Sequence, residues 1–349
     1  MSHALLTPCA CGALDVHAHF VPEHFPAWLD GALPEGWPAT AEAAPQGGVC
    51  HRQVLVGGRH YRTVSESCWS VPRRLAELPA MGLTHQLISP MPELLGYWLA
   101  PLAAQRLCRF LNETAAALAA ESGGVLLGLA AVPLPDVDAA IAELRHAVQT
   151  LGLVGVELGS HINGSPVGDP RWRPFLAACE ALDVPVFVHA LKPVGQERLV
   201  GPAPLLQVLG YPSEVGLAAA SVITGGLLQA CPRLRLAFSH GGGTLASLLP
   251  RLQQGWQVFP ALRERVPESP AEQARRLFYD TLVFDPATLA QLLERFGPQA
   301  LMLGTDHPFN FREAAPAARV QALGLDAATT AALLHGNARR FLGTRAPAA

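Results

Sequence analysis

The sequence predicts an α/β fold: a (β/α)8 TIM barrel with a small insertion between strands one and two. Three observations carry this. Eight short apolar runs recur along the chain, amphipathic stretches separate them, and polar residues collect at the C-terminal ends of the runs. The runs are residues 13–20, 84–90, 125–134, 154–161, 184–190, 234–242, 277–284 and 300–308. Each is strand-length and nearly continuous in apolar character, as parallel strands buried on both faces require.

The intervening stretches read as helices. In DVDAAIAELRHAVQTLG (136–152), Ala139, Ile141, Leu144 and Val148 line one helical face and Gly152 suits the stop. Residues 171–183 and 286–297 follow the same pattern. A doubly wound open sheet would concentrate its chemistry at one switch point. Here His17, His19, His161, His189, His240 and Asp306 end runs one, four, five, six and eight. That spread fits the C-terminal face of a barrel.

A single domain is expected over residues 1–345, with a disordered tail at 346–349. The insertion spans about 21–83. Within it, the Pro/Gly/Ala-rich residues 34–48 read as loop. Residues 50–67 read as a hairpin turning at Gly57 and Gly58, set over the barrel mouth. The segment 336–343 reads as a terminal structural helix.

Composition narrows the function classes. The 349 residues are 50% hydrophobic and 15% charged, enough for a large core. The formal net charge is −3, and no basic stripe points to nucleic acid. No leader pattern opens the chain, and no uninterrupted apolar run reaches the ~18 residues of a membrane span. Seven cysteines, an odd number without a CxxC pair, suit reduced thiols. Cys9 and Cys11 stand too close for an ordinary disulfide. A cytoplasmic protein is expected. Of 25 cationic residues only Lys192 is a lysine.

The chemistry begins at DVHAH. Residues i and i+2 of a strand share a face, so His17 and His19 project together. His189 ends VPVFVHA, and Asp306 follows the run MLGT. Alone, each has a plainer reading: a paired core histidine, a satisfied core histidine, a helix N-cap. Together, three His and one Asp suit one divalent ion with positions left for water and substrate. Zn2+ is the expected ion, with Mn2+ compatible. A second metal would call for a bridging modified lysine, and Lys192, three residues after His189, is poorly placed for one. His240, before three glycines, suits a general acid or base, or a simple loop histidine.

Over residues 13–343 the segments DVHAHF, VGVELGSHINGSPVGDPRWRPFLAACE, VFVHA, CPRLRLAFSHGGGTLASLLPRL, LFYDTLVFDP and LMLGTDHPF resemble the amidohydrolase superfamily. The branch is the one typified by aminocarboxymuconate semialdehyde decarboxylase. The resemblance implies that His17, His19, His189 and Asp306 bind the metal. It implies that His240 and Asp306 are catalytic. Arg62 and Arg251 would bind substrate carboxylates, Arg251 from the neighbouring subunit of a homodimer. Apart from the resemblance, His161 in GSHING reads as a substrate-pocket residue or as a histidine that hydrogen-bonds its loop. The sequence departs from the branch at Ala190-Leu191-Lys192, where a Pro-Trp-Asp stretch is usual, and at His307, where Tyr is usual. The His-x-His of strand one separates it from resorcylate-type relatives, which carry Glu-x-His.

The activity so implied is metal-dependent, non-oxidative decarboxylation of a small unsaturated or aromatic carboxylic acid. A lactone or amide hydrolase, or a hydratase, could use the same residues. A non-catalytic protein with a structural metal would not need His240, Arg62 and Arg251.

Overall fold

The computed structural model describes residues 12–28 and 31–347. Apart from the short antiparallel pair His161–Ile162 and Ser165–Pro166, its strands are β1 (Ala13–Phe20), β2 (Pro38–Gln46), β3 (Val49–Val56), β4 (Arg59–Ser65), β5 (Leu83–Pro90), β6 (Leu126–Ala130), β7 (Gly155–Gly159), β8 (Val186–His189), β9 (Leu236–Phe238), β10 (Phe278–Asp280) and β11 (Leu301–Met302). Eight of them pair in parallel in the order β1-β5-β6-β7-β8-β9-β10-β11. The ring closes where Val16 N donates to Leu303 O (2.9 Å) and His19 N to His307 O (2.7 Å). The predicted barrel is therefore the observed one.

Strand burial follows from the runs. Every residue of β1, β6, β7 and β8 is buried. One large cluster fills the layer between barrel and helices. A smaller one, including Leu87, Leu127, Leu129, Phe187, Ala237 and Met302, lies below the strand ends. Phe187 and His189 share a face of β8, and the Phe187 ring lies 5.2 Å from that of His17. The apolar plug thus supports the polar floor above it.

Connecting helices include α1 (Val71–Glu77), α2 (Pro101–Glu121), α3 (Val137–Gln149), α4 (Arg173–Ala181), α5 (Tyr211–Thr224), α6 (Leu245–Val258), α7 (Pro286–Phe296) and α8 (Asn337–Leu342). Asp136 caps α3, its side chain accepting from Ala139 N at 3.0 Å. The buried face of α3 is Ala140, Leu144, Ala147 and Val148, so Ala139 and Ile141 sit at its edge rather than its centre. Residues Leu206–Thr224, ending in α5, are long and apolar enough to cross a membrane, but half of that stretch is buried. Val215, Ala218, Ala219, Val222 and Ile223 pack into the core, which accounts for its hydropathy.

The insertion corrects the sequence reading. Residues 34–48 contain β2, which pairs with β3 to make a three-stranded antiparallel sheet rather than a lone hairpin. Pro38 starts this strand and Pro45 falls in its register shift. Both are places an edge strand tolerates proline. The hairpin turn at Gly57 and Gly58, both with positive φ, is present between β3 and β4.

At the other end, Thr344 Oγ1 donates to Asp183 Oδ2 (2.9 Å) and Arg339 Nη1 to Pro347 O (2.9 Å). Of the expected tail, Ala346 packs against the smaller apolar cluster. Residues 348–349, like Cys9 and Cys11, lie outside the described residues.

Candidate metal centre and active site

β1 brings His17 and His19 to the barrel mouth with ring centroids 5.1 Å apart. β8 ends on His189, 5.0 Å from His17 and 4.9 Å from His19 by the same measure. Asp306 follows β11. It holds φ +64, a left-handed value rare outside glycine. A backbone bond from Asp306 N to His17 O (2.8 Å) pins it there. One ligand atom from each of these four residues lies within 4.8 Å of the others.

The tautomers of the three rings follow from their outer bonds. His17 Nδ1 donates to Asp280 Oδ2 at 2.6 Å. His19 Nδ1 faces Pro90 O at 3.2 Å and Ser89 Oγ at 3.1 Å. His189 Nδ1 donates to Ala190 O at 2.8 Å. With the proton on Nδ1, each Nε2 presents a lone pair to the same space. His17 Nε2 and His19 Nε2 are then two acceptors only 3.2 Å apart. Asp306 Oδ1 adds a third, 3.2 Å from His19 Nε2 and 3.6 Å from His17 Nε2. Neither His189 Nε2 nor Asp306 Oδ1 takes a hydrogen bond, though both are buried.

Such a set repels itself unless a cation lies between. Ligands held ~2.0–2.1 Å from one ion stand ~3–3.4 Å apart, close to what is observed. A four-residue His3Asp site for one divalent ion fits these residues.

The electrostatics agree. Burial opposes a charge on His17, yet Asp280, Asp306 and Asp15 outweigh it and raise its pKa. A positive charge is thus favoured at that spot. Burial also opposes the Asp306 carboxylate, but the adjacent His19 and His17 hold its pKa below the ordinary value. Burial drives His189 well below its ordinary value, leaving a neutral ligand.

His240 sits beside the ligands, 5.3 Å from His17 and 5.1 Å from His189 between ring centroids. It too has positive φ, +54. Asp280 fixes this turn by accepting from His240 N (2.9 Å) and Gly241 N (2.8 Å). Burial, then the neighbouring His17, pull the His240 pKa down to about 4.

Above the floor is a cavity of about 290 Å³ lined by His189, His240, Asp306, Arg62, Glu93 and Tyr211, with Phe284, Phe309 and Phe311 on its walls. Arg62, from β4 of the insertion, lies 4.2 Å from the centroid of Phe309. It forms no ion pair among the described residues. Its guanidinium is available to an anion.

Two expected site residues are not brought to the cavity. His161 spends both ring nitrogens on its own loops, Nε2 donating to Lys192 O and Nδ1 accepting from Gly164 N, each at 3.0 Å. It is a loop-holding histidine and does not line the cavity. Arg251 projects from α6, exposed and outside the cavity of its own chain. His307 turns away, bonding Glu77 Oε2 at 2.9 Å.

Asp280, Glu93 and Tyr211 were not anticipated. Asp280 had a usable signal, a carboxylate ending the buried run LFYD. Glu93 and Tyr211 lie in PMPEL and LGYPS, where no spacing marks them.

Comparison with known proteins agrees with this geometry. The amidohydrolase family matches residues 14–344. The 2-amino-3-carboxymuconate-6-semialdehyde decarboxylase of Dictyostelium discoideum is 32% identical over 95% of this chain and 91% of its own. Among solved structures, 5-carboxyvanillate decarboxylase from Sphingomonas paucimobilis superposes with a TM-score of 0.69 at 26% identity, covering 77% of this chain and 82% of its own. The Metarhizium anisopliae IDCase in apo form gives 0.79 at 19% identity, covering 95% and 97%. The barrel, the four convergent ligands and these likenesses place the chain in the amidohydrolase family.

Proposed function

We propose that this chain is a metal-dependent, non-oxidative decarboxylase of a small unsaturated or aromatic carboxylic acid. The observation that carries this reading is the meeting of three imidazole lone pairs and the Asp306 carboxylate on the floor of a cavity that Arg62 overlooks. Similarity to decarboxylases of 2-amino-3-carboxymuconate-6-semialdehyde and 5-carboxyvanillate supports the substrate class. The cavity volume suits an acid of about one ring.

His17, His19, His189 and Asp306 hold one divalent ion, for which Zn2+ is the first candidate and Mn2+ the second. When bound, it supplies Lewis acidity to an oxygen of the acid. Arg62 binds a carboxylate through its planar fork. The bond from the ring or chain carbon to the departing carboxylate breaks, and its electron pair stays on that carbon. As CO2 leaves, His240, neutral near pH 7, relays one solvent proton to that carbon and ends neutral again, so that the carboxylate and one H+ give CO2 and the protonated product. Asp306 remains an anion beside it and steadies the imidazolium that forms in between. The aromatic walls exclude water from the carbanionic carbon.

Arg251 completes the site from a second copy of the chain. Support comes from α6 itself, where Leu248 and Val258, with Phe259 just beyond, are 48%, 55% and 59% exposed near Arg251 in the single chain. Such a run suits a covered face. A cytoplasmic location fits the free thiols Cys50, Cys68, Cys108, Cys179 and Cys231.

The test is CO2 release by metal-loaded protein from a panel of hydroxybenzoates and unsaturated dicarboxylic acids. Arg62→Gln should lower kcat/KM by roughly 10- to 100-fold, the worth of a charge-assisted hydrogen bond. Hydrolysis of a lactone or amide without CO2 release would overturn the reading.

A further inference from the structure

Glu93 follows β5 in the turn Pro92–Leu94 and lines the cavity. Two phenols hold one of its oxygens. Tyr211 OH, at the start of α5, donates to Oε1 at 2.7 Å. Tyr61 OH, from β4, donates to the same Oε1, and the two hydroxyls lie 3.2 Å apart. Burial and then Glu93 itself raise the pKa of both phenols, so both keep their protons. The other oxygen, Oε2, accepts nothing from the described residues.

This arrangement is more than a tie between insertion and barrel. A tie would need only the oxygen the phenols already share. Oε2 is not sealed in the core: it is open to the cavity, where a donor can reach it. Among the described residues no cation comes within ion-pair distance of Glu93. Arg62 and Lys192 act on it only at longer range. The cavity therefore carries a cation, Arg62, and an acceptor, Glu93, between aromatic walls.

We propose that Glu93, held by Tyr61 and Tyr211, is a specificity residue whose free oxygen accepts a hydrogen bond from a hydroxyl or amino substituent of the acid. The substrate class narrows to unsaturated or aromatic acids bearing such a donor. The proposal refines the decarboxylase reading and rests on it for the identity of the substrate as an acid. Its test is a binding measurement, so loss of one does not mimic loss of the other.

Metal-loaded full-length protein is titrated calorimetrically with 2-, 3- and 4-hydroxybenzoate and their methyl ethers. The aminobenzoates and their N,N-dimethyl counterparts form a second series. A site built around a donor rejects the analogue lacking it, because its acceptor is left unpaired. At least one isomer in either series should bind roughly 10-fold or more tighter than its methylated partner. In Glu93→Gln that preference should fall below about 3-fold, each affinity being taken relative to the same variant's binding of unsubstituted benzoate. Glu93→Asp, which keeps the charge but withdraws the oxygen by one methylene, should lose the preference as well and serves if Glu93→Gln does not fold. Equal binding of all pairs by the wild type overturns the proposal. So does a preference that survives both substitutions, which would assign the donor to the metal or to a tyrosine.

Discussion

The ligand set works because each histidine is committed on its far side. Asp280 does most here, joining His17 Nδ1, His240 N and Gly241 N in one carboxylate. Asp280→Asn keeps the shape and removes the charge that raises His17. Metal affinity should fall about 10- to 100-fold, the usual worth of such an outer partner, as competition with a chromogenic chelator would show. Unchanged affinity would mean that His17 is oriented by packing alone. A second expectation concerns pH. The His240 pKa of about 4 leaves the ring neutral from pH 6 to 8, and a bound cation would push it further down. On its account kcat/KM stays flat across that range and falls only as pH drops toward 4 and the ring takes up a proton. An acid limb centred near 6.5 at saturating metal would contradict this. These residues differ in how far the sequence exposes them. His17, His19, His189 and Asp306 are legible because each ends a buried apolar run, where an unsatisfied polar side chain is costly. Glu93 lies three residues past the second run, in a proline-flanked turn, and Tyr211 opens a helix; they come together only through the barrel's closure, so no local pattern betrays them.

At the scale of elements, the barrel strands are legible because burial on both faces makes them continuously apolar. The insertion strand β2 was not, because Pro38 and Pro45 and a run of alanines mimic a loop. An edge strand escapes the ladder bonds that would forbid proline. His161 misled for a related reason: position at a strand end is necessary for a barrel site but does not say which way a loop then turns the ring. Close packing between strand ends yields a sharper prediction. Gly304 precedes Asp306 by two residues, and a Cβ there would stand 2.7 Å from Asp280 Cβ and 3.1 Å from His17 Cβ. Gly304→Ala should push His17 and Asp280 out of register. The folded barrel should persist by circular dichroism, while bound metal falls several-fold. Full metal content in that variant would show that the strand ends yield more readily than the packing implies.

For the whole molecule, the barrel supplies the floor, and the insertion supplies Arg62 to the cavity wall and Tyr61 to hold Glu93. A second copy is proposed to supply Arg251. Phe259→Asp, on the exposed apolar run after α6, should yield monomers by light scattering. Activity should fall while the metal is retained, because the ligands all lie within one chain. A fully active monomer would remove Arg251 from the site. The central claim, one divalent ion held by four named side chains, is tested most directly by elemental analysis of the purified protein beside a His189→Ala, Asp306→Ala double variant. The expected result is about one metal per chain in the wild type and little or none in the variant. A wild type that binds no metal even after reconstitution, or a double variant that keeps a full equivalent, would contradict it.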